Sequence, residues 1–321
     1  MSKVSIIIPC FNTERFVDET IESALRQTYR DLEVIVIDDG STDKSRSIIE
    51  RFGTRLTSVF GPNRGASAAR NRGTQVATGE FIQYLDADDL LAPHAVSDRV
   101  EALRHANADV AYSDWQRLIE QEGKFEPGEI VTHRMESVHS DPEIATFSAF
   151  WSPPAALLYR RRIVEKIGTW NDTLPIIQDA RFLQDAALHG GRFIHVPGVS
   201  AFYRVHKGQS LSKKDKHAFV RDCLQNALQV QSWWRDHGKF DREHRDAVLT
   251  VFSQVARSSF ESDHETFNIA LQAANRLQPG WIPTGPPALH ALSQIIGYPN
   301  AERCASTYRR LKRIFFGASG T

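Results

Sequence analysis

The sequence predicts an α/β fold: a mostly parallel central sheet flanked by helices, then an all-helical C-terminal region. Three observations predict it. β-branched runs of strand length alternate with apolar helical stripes as far as Ser113. Polar or acidic clusters sit at the carboxyl end of one strand after another. From Lys216 onward the β-branched runs give way to long helical patterns. Strands alternating with helices build βαβ units, and in such sheets ligands bind outside the carboxyl ends of the strands.

Val4 to Pro9 is a continuous β-branched run, the signature of a strand buried on both faces. Val17, Ile21, Ala24, Leu25 and Thr28 form a helical stripe after it. Glu33 to Ile37 is a second strand ending in Asp38-Asp39-Gly40, and Ser41 is read as the cap of a helix through Phe52. Leu56 to Phe60 reads as a strand, Gly65 to Ala77 as a helix, and Glu80 to Leu85 as a strand ending in Asp86-Ala87-Asp88-Asp89. Pro93 opens another helix, and Ala108 to Ser113 is the fifth strand. Residues 116–150 are read as a loop-rich excursion. Ala155 to Tyr159 and Arg192 to Tyr203 follow as strands, with a short helix from Asp179 to His189 between them. The helical tail is broken at His237-Gly238, Asp263 and Pro279-Gly280, giving expected domains of 1–214 and 215–321.

Composition removes several functions. With 39 basic and 39 acidic residues the formal charge is zero, whereas a dedicated nucleic-acid binder needs a basic surplus. Cys10, Cys223 and Cys304 are too few and too scattered for a disulfide framework or a zinc site, so a reduced, cytoplasmic setting is expected. No apolar run reaches the 18 or so residues needed to span a bilayer, and Val4 to Cys10 reads as a first strand rather than a signal peptide.

The turn Pro9-Cys10-Phe11-Asn12-Thr13-Glu14 has no glycine, which excludes a dinucleotide fingerprint or P-loop there. Gly-x-Ser-x-Gly is also missing, against an α/β-hydrolase. Phosphates bound at this sheet would therefore need a metal, and Asp86 and Asp88 offer the carboxylate oxygens that Mg²⁺ or Mn²⁺ prefers. Each motif also has a plainer reading. Asp88 or Asp89 could cap the helix near Pro93, Asp39 could cap another, and Arg64, Arg70 and Arg72 could form a solvated face.

Taken together the motifs are more specific. Val4-Ser5-Ile6-Ile7-Ile8-Pro9-Cys10-Phe11-Asn12, Val36-Ile37-Asp38-Asp39-Gly40-Ser41-Thr42-Asp43, Asn63-Arg64-Gly65 with Ala69-Arg70-Asn71, and Tyr84-Leu85-Asp86-Ala87-Asp88-Asp89 follow in order. In that order and spacing they resemble the family 2 glycosyltransferases, over about the first 210 residues. The resemblance implies the GT-A fold and a non-processive, nucleotide-sugar-dependent enzyme. It implies that Pro9, Phe11 and Asn12 line the nucleoside pocket, that Asp39 bonds the base and that Arg70 contacts the nucleotide. Asp86 would approach the ribose or the metal's water shell, and Asp88 would ligate Mn²⁺ or Mg²⁺. Asp179 matches the family's catalytic base, although Gln178 departs from the usual Glu-Asp pair. His206, in Tyr203-Arg204-Val205-His206, matches a histidine that can join the metal. Gln178-Asp179-Ala180-Arg181-Phe182 approximates the Gln-x-x-Arg-Trp motif of processive synthases, but Phe182 replaces tryptophan and no membrane span accompanies it.

The function implied is inverting transfer from a nucleotide sugar, a UDP-sugar expected, to a hydroxyl of a glycan or lipid-linked acceptor in bacterial cell-surface polysaccharide or glycolipid synthesis. Two alternatives stand beside it: a sugar-1-phosphate nucleotidyltransferase, and a non-catalytic nucleotide-sugar or glycan binder. The last helix carries Arg303, Arg309, Arg310, Lys312 and Arg313 before Ile314, Phe315 and Phe316, a pattern suited to peripheral contact with an anionic inner-membrane surface. Self-association into a homo-oligomer is left open.

Overall fold

A computed structural model describes residues 2–206, 215–283 and 286–316, with side chains as far as Leu311. The chain divides into two compact units, residues 1–210 and 211–321. The expected boundary at 214/215 adjoins residues 207–214, which lie outside the described residues.

In the first unit the elements run β1 (Val4–Cys10), α1 (Val17–Leu25), β2 (Leu32–Asp38), α2 (Ser45–Arg51), β3 (Thr57–Phe60), α3 (Ala66–Val76), β4 (Phe81–Tyr84), β5 (Leu90–Leu91) and α4 (Ala95–His105). They continue as β6 (Val110–Gln121), β7 (Lys124–Val131), α5 (Met135–Val138), α6 (Pro142–Ser148), β8 (Leu157–Arg160), α7 (Arg161–Ile167), α8 (Gln178–Leu188) and β9 (Phe193–Val205). The sheet order is β3-β2-β1-β4-β8-β6-β9-β5, with β7 paired to β6. β3, β2, β1 and β4 are parallel, as the βαβ reading requires. β8 then runs antiparallel to both β4 and β6, so the whole sheet is mixed.

β1 shows why its sequence is apolar without alternation. Val4, Ile6 and Ile8 pack with Val17 and Ile21 of α1 and Val96 and Val100 of α4. Ile7 faces the other way, with Ile35 and Ile37 of β2, Ala69 of α3 and Phe182 of α8. Each such fully buried side chain contributes about 1.5–3 kcal/mol of transfer free energy. Gly73 lets α3 lie close on this strand, since a Cβ there would stand 2.3 Å from Ile7 Cγ2. Across the middle of the sheet the fully buried Arg99 donates to Gln83 Oε1 at 2.7 Å, Ser113 Oγ at 3.0 Å and Ser200 Oγ at 2.6 Å, joining β4, β6 and β9.

Three expectations are corrected. Residues 116–131 form no loop: β6 continues to Gln121, turns at Glu122-Gly123 and returns as β7. Both turn residues have positive φ, 49° and 80°, as a tight hairpin turn needs. Gln116 to Gln121 alternates half-buried and exposed residues, so a strand with one wet face lacks the apolar run that marks a buried one. Ser41 does not cap α2, which starts at Ser45 with Asp43 Oδ1 accepting the Ser45 N–H at 2.9 Å. Neither Asp88 nor Asp89 caps α4, whose N-cap is His94 without a side-chain bond.

The second unit is helical throughout its described residues: α9 (Lys216–Asp236), α10 (Arg242–Ser259), α11 (His264–Leu277), α12 (Pro287–Ile296) and α13 (Tyr298–Phe316). Asp215, Asp241 and Asp263 cap the first three, accepting N–H groups one turn in. No described helix is long and apolar enough to cross a membrane.

Candidate active site

The carboxyl ends of β1 and β2 are stitched to one another. Asn12 adopts a left-handed conformation (φ 52°), which its side chain tolerates better than most. Its backbone N–H donates to Ser41 Oγ at 3.0 Å, and its Oδ1 accepts the Thr42 N–H at 2.8 Å. Phe11 stays 46% exposed beside this brace, and Pro9 is half-buried in β1. Buried Asp39 accepts the Arg64 N–H on Oδ1 at 2.9 Å and the Gly65 N–H on Oδ2 at 2.8 Å, anchoring the entry to α3. Each oxygen keeps a second lone pair. At Gly40 (φ 80°) a Cβ would stand 2.7 Å from the Asn63 amide nitrogen, so only glycine lets these loops meet.

The acidic turn after β4 is held from three sides. From α3, buried Arg70 donates Nη2 to Asp86 Oδ1 at 2.5 Å while its guanidinium lies 4.5 Å over the Trp170 ring. From β9, Arg204 donates its backbone N–H to Asp89 Oδ1 at 2.9 Å and Nη1 to the Asp88 carbonyl at 3.2 Å; its Nη2 pairs with Glu19. Just past β9, His206 Nε2 stands 3.1 Å from Asp88 Oδ2. Burial pushes the Asp86 carboxyl above its ordinary range, against the pull of Arg70 and with the push of Asp88 and Asp179. Burial pushes Asp89 well up too, and the Asp88 and Asp86 carboxylates add to it. Burial and this same acidic group raise the Tyr203 phenol.

Asp179 lies in the first turn of α8 but does not cap it: the N-cap is Ile177, without a side-chain bond. Its Oδ2 instead accepts the Trp151 indole N–H at 3.0 Å. Gln178, where the family resemblance leads one to expect glutamate, is buried. Its Oε1 accepts the Ser67 hydroxyl at 2.6 Å, and its Nε2 donates to the Pro175 carbonyl at 3.1 Å. That place needs an acceptor and a donor at once, which an amide supplies and a carboxylate does not. Trp151 and Arg204 escaped the sequence reading. Trp151 falls just beyond the stretch read as loop-rich, and Arg204 lies inside a motif scanned for its histidine.

The donor chemistry fits a divalent cation. Asp88 and His206 present one oxygen and one nitrogen side by side, and Mg²⁺ or Mn²⁺ in such sites takes its remaining ligands from water and substrate phosphates. Asp89 Oδ2 is buried without a hydrogen-bond partner among the described residues. Among the described residues no three His, Cys, Asp or Glu are grouped so as to hold a metal ion by themselves.

The sequence profile of Glycosyl transferase family 2 matches residues 5–168, the span that contains β1, β2, α3 and the acidic turn. The chain belongs to glycosyl transferase family 2. Among its relatives, an uncharacterized glycosyltransferase of Nostoc sp. is 31% identical over 170 residues, covering 51% of this chain and 53% of that protein. The glycosyltransferase GlyG of Streptococcus pneumoniae is 33% identical over 126 residues, covering 38% of this chain and 42% of its own. The chain thus spans about half the length of these relatives. Among solved structures, residues 1–349 of S. aureus TarS in complex with UDP-GlcNAc superpose with a TM-score of 0.68 at 18% identity, over 96% of this chain and 92% of that one. The Pyrobaculum calidifontis mannosyltransferase PcManGT, in complex with GDP-Man and Mn²⁺, gives 0.53 at 18% identity, over 98% and 87%. This family 2 chain therefore has the GT-A fold, with helices following its sheet domain.

Proposed function

We propose that this glycosyltransferase moves a sugar from a nucleotide-sugar donor, a UDP-sugar, to an acceptor hydroxyl with inversion. The observation that carries the reading is the Asp88–His206 pair at the end of β4, with Asp86 held beside it by Arg70 and Asp179 near enough to raise Asp86. Pro9, the exposed ring of Phe11, Asn12 and Asp39 line the nucleoside end, and Arg70 sets Asp86 toward the ribose. Asp88 and His206 would hold Mn²⁺ or Mg²⁺, which when bound offsets the charge that develops on the departing diphosphate. Asp179 takes the proton of the acceptor hydroxyl as its oxygen attacks the anomeric carbon and the bond from that carbon to the diphosphate oxygen breaks. One base opposite one leaving group gives a single displacement.

The acceptor is a glycan or lipid-linked hydroxyl in cell-surface polysaccharide or glycolipid assembly at the cytoplasmic face of the membrane. Exposed Arg303, Arg310, Tyr308 and Leu311 on α13 support a peripheral membrane contact. The side chains of Lys312, Arg313, Ile314, Phe315 and Phe316, part of that expectation, lie outside the described residues.

Thermal melts with UDP, GDP, dTDP and CMP, with and without Mn²⁺, test the donor, because a ligand that binds only the folded state raises its melting temperature. UDP should stabilise most and only with metal; equal stabilisation in EDTA removes the metal from the reading. Pyrophosphate release from a nucleoside triphosphate and sugar-1-phosphate would mark a nucleotidyltransferase instead. Donor binding without transfer or hydrolysis would mark a binder.

A further inference from the structure

Trp151 sits on the loop between α6 and β8, and its indole N–H points at the residue read above as the base. Its ring is fixed from two sides: it stands edge-on to Trp115 of β6 (centroids 5.6 Å apart, 89°) and to Tyr203 of β9 (5.9 Å, 87°). Trp115 and Tyr203 close the triangle at 5.7 Å. The neighbouring strands β6 and β9 are paired with one another, so two of the three rings are seated on the sheet. The third ring, half-buried, delivers one donor, Nε1, at 3.0 Å from Asp179 Oδ2.

We infer that Trp151 is a positioning residue for Asp179: the aromatic corner holds the indole, and the indole holds the carboxylate. The inference rests on the reading of Asp179 as the base. An indole N–H is a donor only, so it engages Oδ2 as an acceptor and cannot take the proton that Asp179 must receive. Oδ1, which accepts no hydrogen bond among the described residues, is left to face the acceptor hydroxyl. With its neighbour Gln178 occupied by Ser67 and Pro175, Asp179 draws its side-chain orientation from Trp151. A base misplaced by even an ångström loses much of its effect, which makes a rigid, non-titrating donor useful at that oxygen.

Two substitutions at Trp151 separate positioning from packing. Trp151→Phe keeps an aromatic ring in the corner and removes the donor. Trp151→His loses ring bulk, but its Nε2 can occupy the place of the indole nitrogen. If Trp151 positions the base, Trp151→Phe should lower kcat about tenfold, the loss of one hydrogen bond to a charged group, with donor KM and the donor-induced melting shift unchanged. Trp151→His should then turn over faster than Trp151→Phe. In an Asp179→Asn background, Trp151→Phe should cause no further loss, because the two residues act as one unit. Wild-type turnover in Trp151→Phe, or a Trp151→His slower than Trp151→Phe, overturns the inference while leaving the base in place. Near wild-type turnover in Asp179→Asn overturns the base assignment, and the inference with it.

Discussion

His206 Nε2 and Asp88 Oδ2 meet at 3.1 Å although 118 residues separate them in the chain. β9 brings them together: Arg204, two residues before His206, bonds Asp89 and the Asp88 carbonyl, so the strand's end is fastened to the acidic turn before the histidine is reached. The Phe16 ring lies against the imidazole, with centroids 4.7 Å apart.

Removing one member of this pair should affect metal-linked binding more than folding. Asp88→Ala is expected to abolish the Mn²⁺-dependent part of the UDP-induced melting shift. Its metal-free melting temperature should stay nearly unchanged, since Asp88 caps no helix. His206→Ala should weaken Mn²⁺ binding by at least about 10–100-fold, the cost of losing even a group that only orients a metal's ligands. Calorimetric titration of Mn²⁺ in the presence of UDP checks both. Unchanged metal affinity in Asp88→Ala would falsify the assignment.

Asp179→Asn should cut turnover by about 10²–10⁴-fold, the usual share of a general base. Donor affinity should be retained, because the proposed nucleotide and metal contacts, Asp39 and Asp88, lie at the ends of β2 and β4 and not on α8. The melting temperature should hold, since Ile177 and not Asp179 is the N-cap of α8. Single-turnover transfer at saturating donor is the measurement. A rate near wild type would move the search to Asp172, Asp185 and His206.

Arg70→Met is expected to weaken donor binding even though the side chain is almost wholly buried. The substitution removes the positive charge that opposes the repulsion among Asp86, Asp88 and Asp179 and frees the Asp86 carboxylate from its 2.5 Å bond. If Arg70 acts through Asp86, the Arg70→Met effect on donor affinity should largely vanish in an Asp86→Asn background. Full additivity of the two substitutions would instead mean that Arg70 acts independently of Asp86.

Arg99→Ala should cost about 3 kcal/mol or more. It leaves Gln83 Oε1 without its donor and opens a cavity where three strands meet. Urea denaturation reads this directly, and a loss under about 1 kcal/mol would show that water replaces the guanidinium at little cost.

Glu33 gives a pH test. Burial alone would raise its carboxyl, but bonds from the Ser5 hydroxyl (2.6 Å) and the Thr78 N–H (2.7 Å) and hydroxyl (2.9 Å), with the Lys3 charge, hold it below its ordinary value. A depressed carboxyl contributes stability that is fully present above the unfolded value near 4.3 and is lost as pH falls through the folded one. Glu33→Gln should therefore cost about 1 kcal/mol at pH 7, with the gap to the wild type closing below about pH 4. A gap that persists at pH 3 would assign the loss to packing.

The sequence by itself determined the elements whose apolar pattern is local. β1 was legible because Ile6, Ile7 and Ile8 are all buried, on alternating faces, and breaks in the second unit because His237-Gly238 follows α9, Asp263 caps α11 and Pro279-Gly280 follows it. It also supplied Asp39, Asp86 and Asp88 as candidates, because they stand at the ends of β2 and β4; Asp179, in the first turn of α8, was suggested only by the family resemblance. What lay beyond it was set by contacts between distant segments. The β6–β7 hairpin carries too many polar residues to announce itself, because only one face of it is covered. Whether Asp88, Asp89 and Asp179 cap helices or face a common centre depended on where β9 and the loop at Trp151 run. A cap is a local hydrogen bond that a sequence can suggest; the pairing of Asp88 with His206 and of Asp179 with Trp151 exists only once the sheet has closed.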